Sequence, residues 1–73
     1  MKINYDPEAD AIYIELVEGV VDNTLQAGKY VNVDVDQDGV PLGVEILFAR
    51  RTLSKEDMTS ITFNISQPTS VQP

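Results

Sequence analysis

Hydrophobic and polar residues alternate along most of this chain, and turn-forming residues break the alternation. Ile12, Ile14 and Leu16 alternate with Ala11, Tyr13 and Glu15. Val31, Val33 and Val35 alternate with Tyr30, Asn32, Asp34 and Asp36. Val40, Leu42, Val44 and Ile46 alternate with Pro41, Gly43 and Glu45. A period of two sends successive side chains to opposite faces of a pleated backbone, so each run predicts a strand with one apolar and one polar face. Lys2 to Tyr5 reads as a further short strand. Residues 20–26 alternate weakly through Val21, Asn23 and Leu25, which leaves a short edge strand open, and Ile61, Phe63 and Ile65 predict a last short strand. Pro41 lacks a ladder donor and so belongs near a hairpin end or at a sheet edge.

The breaks carry turn chemistry. Asp6-Pro7-Glu8-Ala9-Asp10 reverses the chain, as a turn or a single helical turn, because Pro fixes φ and Asp6 accepts from following amides. Glu18-Gly19 and Ala27-Gly28 are further turns. After Leu47 the period changes. Ser54 is a good helix N-cap with Asp57 three residues on, and Leu53 and Met58 hold the staple positions around it, so one or two helical turns follow. The organisation predicted is a single β-rich domain over residues 1–66 with a tail over residues 67–73. Its class is mainly β (α+β): a small antiparallel β-meander of four to five strands with one short helix near the C-terminus.

Such a sheet has one apolar face, made by Ile12, Ile14, Leu16, Val31, Val33, Val35, Val40, Leu42, Val44 and Ile46. A single sheet with a bare apolar face does not stand in water, and one short helix is too small to cover it. The expected cover is a second copy, giving a homodimer or higher homo-oligomer, or a different protein. Ile12, Ile14, Val33, Val35, Leu42 and Val44 are the expected oligomer or partner face.

Composition narrows the chemistry. The chain has 73 residues and neither Cys nor His. A chain of this length buries only about 60% of its unfolded surface. Disulfides and thiolate metal sites are excluded as extra support, which leaves association. Lacking His, it has no Ser-His or Cys-His nucleophile pair and no ordinary zinc site. Twelve acidic against five basic residues give a formal net charge of −7, which repels phosphate backbones and favours basic protein partners. The first residues show no signal-peptide pattern and no stretch reaches membrane-spanning length, so the expectation is a cytoplasmic protein that binds neither nucleic acid nor membrane.

Two motifs invite a functional reading. Residues 34–45 match the calcium-loop pattern D-x-[DN]-x-[DN]-G-x5-E, with Asp34, Asp36, Asp38 and Glu45 as candidate metal ligands and Gly39 at the sharp turn. A calcium loop of that kind joins two helices, whereas strands flank this one, and Asp38-Gly39 between alternating runs is a hairpin signal. The hairpin reading prevails, with the four carboxylates left as weak cation candidates. The second group is Tyr5, Asp6, Glu8, Asp10 and Tyr13. Paired carboxylates perform acid–base chemistry in glycosidases, but they need a concavity that a small sheet hardly supplies. The structural reading has Asp6 capping a turn, Glu8 and Asp10 solvated, and the tyrosines on the outer face. Glu45 is expected to pair with a basic residue or with solvent. Arg50 and Arg51, with Lys55 nearby, form the one basic cluster, facing solvent or a partner's carboxylate. No catalytic residue and no cofactor is assigned, and the chain is not read as an enzyme.

Three segments in order, Tyr5-Asp6-Pro7-Glu8-Ala9-Asp10-Ala11-Ile12-Tyr13-Ile14, then Val33-Asp34-Val35-Asp36-Gln37-Asp38-Gly39, then Gly43-Val44-Glu45-Ile46-Leu47, resemble the bacterial family called Domain of Unknown Function 2283. Its pattern is Y-D-x-x-x-D-x-x-Y near the start and an acidic turn followed by G-x-E-I-L. The resemblance covers roughly residues 1–50, and residues 51–73 depart from the shortest members. It implies a small β-rich fold and no established activity. The small toxin-like proteins found beside family members imply an antitoxin-like partner role as one alternative.

Overall fold

The computed structural model describes residues 1–68. Strands β1 (Lys2–Asp6), β2 (Ala11–Glu15), β3 (Asn23–Gly28), β4 (Val31–Val35) and β5 (Pro41–Ile46) form one antiparallel sheet, followed by helices α1 (Ala49–Thr52) and α2 (Lys55–Thr59). The strand order is β1-β2-β5-β4-β3. The mainly β, antiparallel class is as expected, but a plain meander would place β3 beside β2, and here β5 takes that place. Residues 16–22 carry the chain over the sheet to its far edge, and β3, β4 and β5 return by hairpins, a Greek-key arrangement.

Local chemistry sets each reversal. Asp6 Oδ1 accepts from the amides of Glu8 (3.0 Å) and Ala9 (3.3 Å), and the β1–β2 turn closes on Asp10 with φ +52°. Between β4 and β5, Gly39 takes φ +81° and its amide donates to the Asp36 carbonyl at 3.0 Å. Asp36 Oδ1 accepts from the amides of Asp38 (2.8 Å) and Val40 (2.9 Å). Val40 thus belongs to the turn and is exposed, not a member of the apolar face as its alternation suggests. The β4–β5 register steps from Asp34↔Gly43 to Val35↔Pro41, so Leu42 is an extra residue and the ladder is irregular where Pro41 lacks a donor.

The crossover is pinned to the hairpin end of the sheet. The amides of Leu16 and Val17 donate to the Leu42 carbonyl at 2.8 and 3.2 Å, and the Asp22 amide donates to the Val35 carbonyl at 2.9 Å. Gly19 lies against Leu42, where a Cβ would stand 2.8 Å from its Cδ2. Among the described residues the buried hydrophobic ones are Ile12, Val35, Leu42 and Ala49, and no large side chain is fully buried.

Two elements differ from the sequence reading. The chain enters α1 through Phe48 at φ +50°, with the Ala49 amide donating to the Asp10 carbonyl at 2.9 Å, so a second short helix precedes the expected one. Residues 61–65 form no strand among the described residues: they pair with neither open edge of the sheet. Of the expected tail, residues 69–73 lie outside the described residues. No helix among the described residues is long and apolar enough to cross a membrane.

Candidate functional site

The sheet register sorts the side chains into rows. One apolar row, Ile3–Ile14–Val44–Val33–Leu25, crosses every strand, and a second runs Tyr5–Ile12–Ile46–Val31. On the opposite face lie Asn4–Tyr13–Glu45–Asn32–Gln26 and Lys2–Glu15–Gly43–Asp34–Thr24. All strand charges in these rows are therefore on one face, and the other is apolar apart from the Tyr5 hydroxyl.

Of the residues expected to form an interaction face, Ile14, Val33 and Val44 sit at the centre of the first row, half-buried. Ile12 is buried beside them, while Val35 and Leu42 are buried at the end of the sheet that the crossover closes. The row also includes Ile3 and Leu25, exposed at the two edges by 42% and 48%. Period two within residues 2–6 and 21–25 was the available signal for both. Ile3, Ile14 and Ile46 with Leu53 and Met58 line an apolar groove of about 400 Å³ between sheet and α2.

The polar residues singled out by the sequence form two clusters. In the first, the Tyr5 hydroxyl donates to Asp10 Oδ1 at 2.8 Å, and Arg50 donates to the same oxygen from Nε and from its backbone amide, both at 3.2 Å. Asp10 is therefore not a solvated carboxylate, and Arg50 is already ion-paired within the chain. Tyr5 points to the apolar face, beside Ile12, not to the outer face. Burial pushes the Asp10 carboxyl up, but the Tyr5 and Arg50 hydrogen bonds and the Arg50 charge outweigh it, leaving the group below its ordinary value. The hydrogen bond to Asp10 holds the Tyr5 phenol above its ordinary value. The cluster ties the β1–β2 turn to the start of α1.

In the second, the Tyr13 ring crosses β5 by passing over Gly43. A Cβ on Gly43 would stand 2.1 Å from the Tyr13 hydroxyl oxygen, so only glycine permits the passage. The hydroxyl reaches Asp34 Oδ2 on β4 at 2.8 Å, and Thr24 Oγ1 on β3 donates to Asp34 Oδ1 at 2.6 Å. The bond to Asp34 raises the Tyr13 pKa. Gly43 and Thr24 were not recognisable as parts of this cluster from the sequence, because the strand order that joins them is not a local property.

The acidic hairpin is strand, turn and strand. Asp34 accepts from Tyr13 and Thr24, Asp36 caps the turn, and Glu45 accepts from Asn32 Nδ2 at 3.3 Å, a neutral amide where a basic residue or solvent was expected. Among the described residues no three Asp or Glu side chains converge on one point. Ser54 Oγ accepts from the Asp57 amide at 3.0 Å and donates to Asp57 Oδ2 at 2.7 Å, as an N-cap. Tyr5, Asp6, Asp10, Tyr13, Asp34, Asp36 and Glu45 are thus engaged in holding strands and turns together, and the surface left with unmet physical demand is the apolar face.

The family described as "Protein of unknown function (DUF2283)" matches residues 2–50 of this chain. No curated protein and no solved structure matches it. With most of its length matched, the chain belongs to the DUF2283 family, whose function is unknown.

Proposed function

We propose that this DUF2283 protein is a non-enzymatic interaction module that covers its apolar sheet face with a second copy of itself. The observation that carries this reading is the unbroken row Ile3–Ile14–Val44–Val33–Leu25, exposed at both ends, over which α2 reaches only the Ile3–Ile14 side among the described residues. The chain exposes 6046 Å². A compact monomer of this length exposes roughly 4,500 Å². Part of the excess of about 1,500 Å² belongs to the extended chain after α2. A standard interface takes about 800 Å² from each partner, so an excess of this size is enough for association once the residues after α2 are counted as part of the contact.

Self-association fits the charge distribution. At a net charge of −7 two copies repel each other, except where the contacting surface is neutral. The apolar face comes nearest to that, since Glu15, Asp34 and Glu45 all lie on the other side and, among the described residues, only Asp57 of α2 lines its β1 end. A two-fold axis through such a face matches each copy to the same patch on the other.

Light scattering on the purified protein tests this. The expected mass is that of a dimer, and Val33→Asp is expected to give a monomer or an unfolded chain, because it would bury an unpaired charge. A folded monomer at all concentrations that binds a hydrophobic dye overturns self-association and makes a different protein the cover.

A further inference from the structure

We propose that residues 61–66 of one copy add as an extra strand to the β3 edge of a second copy, so that the two chains exchange their C-terminal segments. This rests on the self-association reading above and specifies which elements meet.

The segment has the residue pattern of a strand and no partner. Ile61, Phe63 and Ile65 alternate with Thr62 and Asn64, a composition rich in β-branched and aromatic residues. The chain leaves α2 extended, with Ser60 at φ −140° and ψ 124°. Yet the three apolar side chains are 70, 76 and 83% exposed. Extended backbone without a ladder leaves its amides and carbonyls to water, and the row of large side chains gains nothing from being there.

β3 is the complementary surface. It is exposed along its whole length, and its outer side forms an edge of the sheet. Natural edges are guarded by charge, proline or a covering element. Asn23-Thr24-Leu25-Gln26-Ala27-Gly28 contains neither charge nor proline, and its one irregularity lies toward its far end, between Gln26 and Gly28. β1, the other edge, carries Lys2 and Asp6, and α2 stands beside its apolar side at Ile3 and Tyr5. Charge points the same way. In a chain of net charge −7, residues 23–28 and residues 58–68 hold no charged side chain, so two copies can bring them together with little repulsion.

The contact has to be made between chains. Ile61 lines the groove beside Ile3 and Ile14, at the β1 side of the sheet. From there β3 lies across the full sheet, roughly 19 Å at about 4.8 Å per strand spacing. Crossing that distance uses about six residues at roughly 3.3 Å each, which is the whole segment, with nothing left to pair. Seated on the β3 edge of a second copy, the segment would extend the partner's apolar row outward from Leu25. Its main chain would meet the edge amides and carbonyls, and alternate side chains would supply the apolar contact, as in strand addition generally.

Two experiments on the full chain test the exchange. By light scattering across a dilution series, the double variant Ile61→Asp, Ile65→Asp is expected to raise the dimer dissociation constant about tenfold or more with its circular dichroism unchanged. Because the chain contains no Cys, thiols can be placed one at a time. A Leu25→Cys chain is mixed with a Phe63→Cys chain, oxidised gently and read by mass spectrometry. The mixed disulfide is expected to exceed either homodimeric product. A wild-type dimer whose affinity the double variant leaves unchanged, with no excess of mixed disulfide, overturns the exchange while leaving self-association intact. A wild-type monomer overturns both.

Discussion

Gly43 shows how much one missing methyl group decides here. The Tyr13 ring occupies the space its side chain would fill, and through that space Tyr13 on β2 bonds to Asp34 on β4 across the intervening strand. Gly43→Ala is expected to cost about 1–3 kcal/mol, the range for overpacking a filled site, seen as a lower midpoint in urea. Tyr13→Phe, which keeps the ring and loses only the bond to Asp34, is expected to cost about 1 kcal/mol. Titration gives a second handle. Asp10 has a lowered pKa when folded, so its contribution is present above the ordinary value of 3.8 and is lost as pH falls through the folded value below it. Tyr5 and Tyr13 have raised values, so theirs is present below the ordinary 10.0 and is lost as pH rises through the folded values above it. Thermal melts against pH are expected to fall at both extremes, with Asp10→Asn flattening the acid limb and Tyr5→Phe the alkaline one. The sequence marked Tyr5, Asp10 and Tyr13 as a group, but their partners Arg50 and Asp34 are distant in the chain, and periodicity carries no information about them.

At the scale of elements, what near neighbours determine was legible. The β4–β5 hairpin follows from Asp36 and Gly39, and α2 from its Ser54 cap. Ser54→Ala is expected to cost α2 about 1 kcal/mol. Since α2 stands outside the sheet ladder, amide exchange should quicken in residues 55–59 and leave β2 and β5 protected. The strand pattern over residues 61–65 was also legible, but a pattern states only what a segment is fit to do. Whether a ladder exists depends on an edge that pairs, and neither β1 nor β3 of this chain pairs with it. The same limit applies to α1, whose start rests on Phe48 in the left-handed conformation and on the Ala49 amide donating to the carbonyl of the distant Asp10.

For the whole molecule, the buried core is small enough that a single side chain matters. Leu42→Ala is expected to cost about 2–5 kcal/mol. A domain of this size has roughly 4–11 kcal/mol in total, so the variant should lose a large share of its stability, seen as a markedly lower melting temperature by circular dichroism. The alternation of residues 11–16, 31–35 and 42–46 made the apolar face readable, and with it the need for a cover. The strand order was not readable, because period two is satisfied equally by β3 or β5 beside β2.

That order also imposes a sequence of events in time. The β1–β2 hairpin and the β3–β4–β5 unit each form from contacts close along the chain, but joining them closes the long loop that begins with residues 16–22. Non-local closure of this kind is slow, so the two halves exist briefly as separate pieces, each with an open edge and a bare face. During that interval β2 of one nascent chain can pair with β5 of another as well as with its own. Refolding yield should therefore fall as protein concentration rises, and tightening the crossover should restore it.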